Sequence, residues 1–191
     1  MKTYYYKSDI AFTLFIMSCL LCFNNIFAQT GYCMQKGTVY LVRHAEKDSG
    51  NNPKLILEGY RRSGDLMRLI KSKGKMPDRI YVNQFRRTQL TADSIRINEK
   101  VDTAHYLADK NGDALVSVLL KNKKKDKRIL IIGHSNTIPI IIQKLGIVNY
   151  PVQNIPDGEY DNFYTITYRK GKAFLTMEKF GRQTLPIKKP L

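Results

Sequence analysis

The chain has 191 residues, 43% of them hydrophobic and 25% charged. That balance supports one globular domain with a sizeable core and excludes both a disordered chain and a polytopic membrane protein. The formal net charge of +16 favours anionic partners (phosphate esters, nucleic acid or anionic lipid) without choosing among them, and most of the lysines are read as solubilising surface.

In chain order, Lys2 and Lys7 precede an apolar stretch, IAFTLFIMSCLLCFNNIFA, that ends on the small residue Ala28. A basic start, an apolar middle and a small residue at the end describe a secretory signal peptide over residues 1–28. Two alternatives stay open: retention as a membrane anchor through residues 10–28, and lipidation at Cys19 or Cys22. The expected location is therefore exported, either periplasmic or secreted, or membrane-anchored. Cleavage after Ala28 removes Lys2, Lys7 and Asp9 and leaves a net charge of +15. Only Cys33 then remains, which excludes an intramolecular disulfide.

Residues 29–37 read as a short leader and 38–191 as the domain. Thr38–His44, TVYLVRH, is a β-branched and apolar run that predicts a buried strand ending on an arginine and a histidine. KDSGNNP is a loop. From Glu58 to Lys73, Tyr60, Ser63, Leu66, Met67 and Ile70 recur at helical spacing, and Gly74 closes the helix. Arg79–Asn83, RIYVN, predicts a second strand, and Arg86–Asn98 a second helix. Asp113 is a candidate cap for a third helix, ALVSVLLKN. Arg128–His134, RILIIGH, is the strongest strand pattern, and Ser135 or Asn136 can cap the helix TIPIIIQKLG that follows. NFYTITYR and KAFLTMEKF predict an antiparallel hairpin turned at Lys170-Gly171.

Strands alternating with helices predict a three-layer α/β/α sandwich with a mostly parallel central sheet and a C-terminal antiparallel hairpin. Ligands in such folds bind beyond the carboxyl ends of the strands. His44 and His134 each end a strand, and Arg86 and Arg87 lie just beyond a third. On a shared rim, two imidazoles would face Arg43 and Arg87. Guanidinium forks match phosphate oxygens bidentately. Two arginines and one protonated histidine suit a phosphoryl group in transfer, while a second, neutral histidine is a nucleophile. A metal site from His44, Glu46 and His134 is disfavoured because the arginines would repel a cation. No metal and no cofactor are expected. His105 lacks matched partners and reads as structural. The run KNKKKDKR, residues 121–128, reads as a solvated loop; no aromatic residue interleaves it, so no nucleic acid partner is expected.

Four segments in this order resemble the histidine phosphatase superfamily, the phosphoglycerate-mutase-like group. VRHAEK resembles its Arg-His-Gly/Ala-Glu signature, and LILEGYRRSGDL its Leu-Thr-x-x-Gly-x-x-Arg-Ala segment. NQFRRTQLTA is similar to its Ser-Pro-x-x-Arg-Thr-x-Gln-Thr-Ala segment and puts the second arginine on Arg87, while IIGHSNTIP resembles its second histidine motif. The resemblance implies that His44 forms a phosphohistidine that water hydrolyses, with Arg43, Arg87 and His134 holding the phosphoryl oxygens. It adds the backbone N–H groups of Ser135 and Asn136 to that cradle, and Asn51 as either a phosphate contact or a turn former. For the proton donor it favours Asp109 over Asp113, which has a capping role available, and over Glu46, which is read as orienting its loop. Departures are Asn83 and Gln84 in place of Ser-Pro, and Leu90 where Gln is expected. The implied activity is hydrolysis of small phosphate monoesters. Alternatives are a protein phosphohistidine or phosphoserine phosphatase, and a non-catalytic surface binder of anionic polymers. The partners are correspondingly a small phosphorylated substrate or a phosphoprotein, with membrane association only through the N-terminal segment.

Overall fold

The computed structural model describes residues 31–184, so the signal segment read over residues 1–28 lies outside the described residues. Strands β1 (Lys36–Arg43), β2 (Arg79–Asn83), β3 (Thr103–Tyr106), β4 (Arg128–Gly133), β5 (Asn162–Arg169) and β6 (Lys172–Lys179) form one sheet in the order β3-β2-β4-β1-β5-β6. The first four are mutually parallel, and β5 and β6 close the sheet as an antiparallel hairpin beside β1. Helices α1 (Leu57–Ser72), α2 (Arg86–Asn98) and α3 (Asp113–Asn122) connect the parallel strands, and α4 (Ile138–Lys144) lies between β4 and the antiparallel β5. The expected α/β architecture, hairpin included, is the one found.

The continuous apolar runs of β1 and β4 follow from burial on both faces. Val39, Leu41, Ile129 and Ile131 pack with Leu115 and Leu119 of α3 and Ile138, Ile141 and Ile142 of α4. The alternate residues Tyr40, Val42, Leu130 and Ile132 pack on the other face with Leu66 and Ile70 of α1 and Ala92 and Ile95 of α2. Within the leader, Tyr32 and Met34 are buried in the first of these cores, and the Tyr32 N–H donates to the Lys144 carbonyl at 2.9 Å.

Strand β3 escapes the sequence reading. It has four residues at the sheet edge, and only Tyr106 is buried, so no apolar alternation marks it. The basic run before β4 is solvated, as read, except at Asp126, which is 2% exposed and accepts from Arg79 Nε at 3.0 Å and the Tyr81 hydroxyl at 2.5 Å.

Candidate active site

Adjacency of β1 and β4 builds the centre. Their parallel register pairs Arg43 with Gly133, so His44 and His134, each one residue further, leave the sheet side by side. The His44 N–H donates to the Gly133 carbonyl at 2.9 Å, and the two imidazole centroids lie 5.2 Å apart. Strand β2 borders β4 on its other side, and α2 starts three residues after it, which carries Arg87 to the same rim. The rim encloses a cavity of about 410 Å³ lined by Arg43, His44, Arg87, Asp109, His134 and Ser135, together with Lys47, Phe85, Lys110 and Asp157.

Hydrogen bonds assign each imidazole its tautomer. His44 Nδ1 lies 2.8 Å from the Ala45 carbonyl, which only accepts. The proton therefore sits on Nδ1, and Nε2 keeps its lone pair. His134 Nε2 lies 3.0 Å from Asn83 Nδ2. The Asn83 amide cannot be reversed, because its Oδ1 accepts from the Phe85 N–H at 3.1 Å and the Thr88 hydroxyl at 3.0 Å. Its Nδ2 also donates to the Tyr106 hydroxyl, which passes its own proton to the Ile132 carbonyl at 3.0 Å. His134 Nε2 is thus an acceptor and Nδ1 carries the proton. Asn83 is fully buried and all its hydrogen-bonding capacity is used. The sequence marked Asn83 only as a departure from Ser-Pro and held no signal for this role.

The guanidiniums are held by backbone and rings. Arg43 Nη1 donates to the carbonyls of Pro156 and Glu159 at 3.0 and 3.2 Å, and its head stacks 4.2 Å from the Tyr160 ring centroid. Arg87 stacks on Phe85 at 4.3 Å. Thr91 ties these elements together: its hydroxyl accepts from the Ala45 N–H at 2.9 Å and donates to the Arg87 carbonyl at 2.6 Å. Three buried side-chain nitrogens have no hydrogen-bond partner among the described residues: Arg43 Nε, Arg87 Nε and His134 Nδ1. Buried N–H groups rarely stay unpaired, since an orphaned donor forfeits its hydration. All three belong to residues around the one cavity.

Electrostatics departs from the sequence expectation in one respect. Burial, reinforced by His134, Arg43 and Arg87, lowers the pKa of His44 to about 3, although the Ala45 carbonyl opposes the shift. Burial, then Arg87 and Arg43, lowers His134 to about 4. Both imidazoles are therefore neutral at pH 7, not one neutral and one protonated. Burial and the neighbouring Arg43 also push Arg87 below its ordinary value. Together these directions describe a pocket short of negative charge.

Several assigned roles change. Asp113 is not the cap of α3. It sits exposed and pairs with Lys144 at 2.7 Å, while Gly112 occupies the N-cap position at φ +73°. Asp109 caps instead: its Oδ1 accepts from the Gly112 N–H at 2.6 Å and its Oδ2 from the Ala114 N–H at 2.9 Å. Neither Ser135 nor Asn136 caps α4. Thr137 stands at the N-cap, and its hydroxyl accepts from the His134 N–H at 3.0 Å. Asn51 is exposed and outside the cavity lining; its neighbour Asn52 accepts from the Arg86 N–H at 2.9 Å, fixing the start of α2. Glu46 is bound by Arg62, with Nε at 2.8 and 2.9 Å from its two oxygens, in keeping with a loop-orienting role. Gly59 permits that clamp, because a Cβ there would meet the Glu46 carbonyl oxygen at 2.2 Å. No cluster of three or more metal-ligating side chains occurs among the described residues.

No family model and no curated protein matches the chain by sequence. Solved structures do. The chain is similar to the protein histidine phosphatase SixA complexed with tungstate, at 15% identity over 74% of this chain and 96% of that chain, TM-score 0.57. It is similar to the alpha-ribazole phosphatase from Shigella flexneri, at 13% identity over 80% and 100%, TM-score 0.52. It is also similar to a phosphoserine phosphatase mutant from Entamoeba histolytica in complex with phosphoserine, at 17% identity over 75% and 96%, TM-score 0.51. The fold is that of the histidine phosphatase superfamily.

Proposed function

We propose that the protein is a phosphatase that hydrolyses phosphate monoesters through a phosphohistidine on His44. The observation that carries this reading is the set of three partnerless buried N–H donors, on Arg43, Arg87 and His134, around the cavity that also holds the lone pair of His44 Nε2. A tetrahedral anion with several acceptor oxygens satisfies all three donors at once. In the first step Nε2 attacks phosphorus, the bond to the leaving oxygen breaks, and that oxygen takes up a proton. In the second, water attacks the phosphohistidine, loses a proton, and releases inorganic phosphate, restoring the imidazole. The donors stabilise the spreading oxygen charge in both steps. Burial is the larger cause of the lowered histidine pKa values; a dianion beside Arg43 and Arg87 offsets the smaller part that comes from these two cations.

One observation favours phosphohistidine on a protein over an alkyl phosphate. Of the two carboxylates at the cavity, Asp109 is bound by two backbone N–H groups and Asp157 lies 3.6 Å from Arg43. An alkoxide needs a donated proton to leave, whereas an imidazole already protonated on its far nitrogen leaves as a neutral molecule. The test is phosphate release, without added metal, from p-nitrophenyl phosphate, a phosphohistidine peptide, a phosphoserine peptide and a sugar phosphate, with wild type and His44→Ala side by side. Release by wild type that His44→Ala abolishes supports the covalent route, and equal turnover by the two overturns it. A higher kcat/KM on the phosphohistidine peptide supports the second reading, and a higher value on the sugar phosphate rejects it.

A further inference from the structure

The end of the sheet opposite the cavity carries a second concentration of cations. Lys36, the first residue of β1, lies directly across from Arg169 on β5, and Arg169 lies directly across from Lys172 on β6. Directly opposed like charges weaken strand pairing, so this row of three costs the sheet stability. Lys170, in the turn between β5 and β6, adds a fourth cation. Beside the row runs the segment 121–128, whose last residue, Arg128, is in register with Thr38 of β1. The Lys123 ammonium sits 5.8 Å from the ring centroid of Tyr32. All of these cations are exposed except the half-buried Arg128, and among the described residues none has a carboxylate within 4.0 Å of its side-chain nitrogens; the one carboxylate that meets the run from outside, Asp78, accepts from the backbone N–H groups of Lys127 and Arg128 at 2.7 Å. The acid within the run, Asp126, is buried and bound by Arg79 and Tyr81. Folding alone gives no reason to gather unpaired charge of one sign across three neighbouring strands, but an external anionic surface would.

We propose that this end of the sheet docks on an anionic lipid surface. Two further observations select lipid. Residues 31–35, which lead into β1, pack at this end, where the Gly171 N–H donates to the Gln35 carbonyl at 3.2 Å, and residues 10–28, upstream in the sequence, form a 19-residue apolar stretch. Stable attachment to a bilayer commonly combines one apolar element with a polybasic patch. The exposed run 121–128 also offers no aromatic side chain on which bases could stack. The cavity lies at the carboxyl ends of the parallel strands, so docking by their amino ends leaves it open to solution. The cations act whether or not residues 1–28 remain attached, and they act independently of the activity proposed above.

The test is co-sedimentation of the full chain with phosphatidylcholine vesicles and with vesicles of phosphatidylcholine and phosphatidylglycerol. Binding to the first reads the apolar stretch, and the excess on the second reads the cations. Each basic residue near an anionic surface strengthens binding roughly fivefold. The triple variants Lys36→Gln/Arg169→Gln/Lys172→Gln and Lys123→Gln/Lys124→Gln/Lys125→Gln should therefore each weaken the excess about hundredfold. Added salt should weaken it in wild type. Thermal unfolding serves as the folding control: the first variant, relieved of opposed charges, melts no lower than wild type. Equal binding to both vesicle types overturns the proposal, as does wild-type binding by both variants. Tighter binding to double-stranded DNA than to the anionic vesicles, lost in the same variants, overturns it in favour of nucleic acid.

Discussion

At the carboxyl ends of the parallel strands the cations that matter are arginines, Arg43 buried and Arg87 half-buried, stacked on Tyr160 and Phe85. At the amino ends they are mainly lysines and exposed, with Lys36 and Lys172 each facing Arg169 across the ladder. Planar, weakly hydrated guanidinium tolerates this partial desolvation and keeps N–H groups aimed in fixed directions, whereas the compact ammonium keeps its water. The first arrangement suits one small anion held at defined angles. The second suits a diffuse surface in which no single contact is oriented. Net charge alone, +16 for the chain, does not separate these uses; burial and hydrogen bonding do.

The sharpest way to break the comparison is at His44, the proposed nucleophile. His44→Ala should lower turnover of p-nitrophenyl phosphate by at least about 10⁴-fold, with the melting temperature retained as the check on folding. pH comes next. In the unfolded chain both histidines titrate near 6.5, while in the fold His44 and His134 titrate near 3 and 4. Between those values the unfolded chain takes up protons that the native state refuses. Stability is therefore complete above about pH 6.5 and falls as the pH drops through the window. At pH 5 each histidine removes about 2 kcal/mol, measurable by urea unfolding at pH 5 and 7, and saturating tungstate between the arginines should flatten the difference.

Third, Arg87→Ala should lower kcat/KM about 10²–10³-fold, and Arg87→Lys should recover little, because an ammonium lacks the fork. Steady-state kinetics on both variants decide this. Asn83 variants should have a smaller effect. Asn83→Ala frees His134 Nε2 and should cost about tenfold in kcat with about 1–3 kcal/mol of stability. Asn83→Asp places a carboxylate against that nitrogen, raises the His134 pKa and should move the acid limb of the pH–rate profile upward, which a purely structural lesion does not do. The smallest effect lies at the other end: Arg169→Gln, relieving two opposed charges, should raise stability by about 0.3 kcal/mol in chemical unfolding at low salt.

Much of this was legible in the chain. The two-sided burial of β1 and β4 requires uninterrupted apolar runs, so both strands, and the arginine and histidines at their ends, stand out against any background. Local pattern failed where a residue's partner is distant in sequence. The local pattern offers Asp113 as the cap of α3, and only the turn at Gly112 decides that Asp109 reaches the free N–H groups instead. Tyr160 precedes a strand whose alternation explains Tyr164 and Tyr168, yet it lies under Arg43 from more than a hundred residues away. Asn51 and Asn52 are equivalent as turn formers, and it is Asn52 that meets α2.

The sequence by itself determined five of the six strands, their order of chemistry and the residues placed at their carboxyl ends, because backbone periodicity and burial act within a few residues. Only the tertiary structure decided that β4 lies between β1 and β2, bringing His44, His134 and Arg87 around one cavity. It also decided which imidazole nitrogen keeps its proton and that a row of cations crosses three strands at the far end. These are properties of neighbours that the chain brings together from afar, and hydrogen bonds and charges act on distance in space, not on distance in sequence.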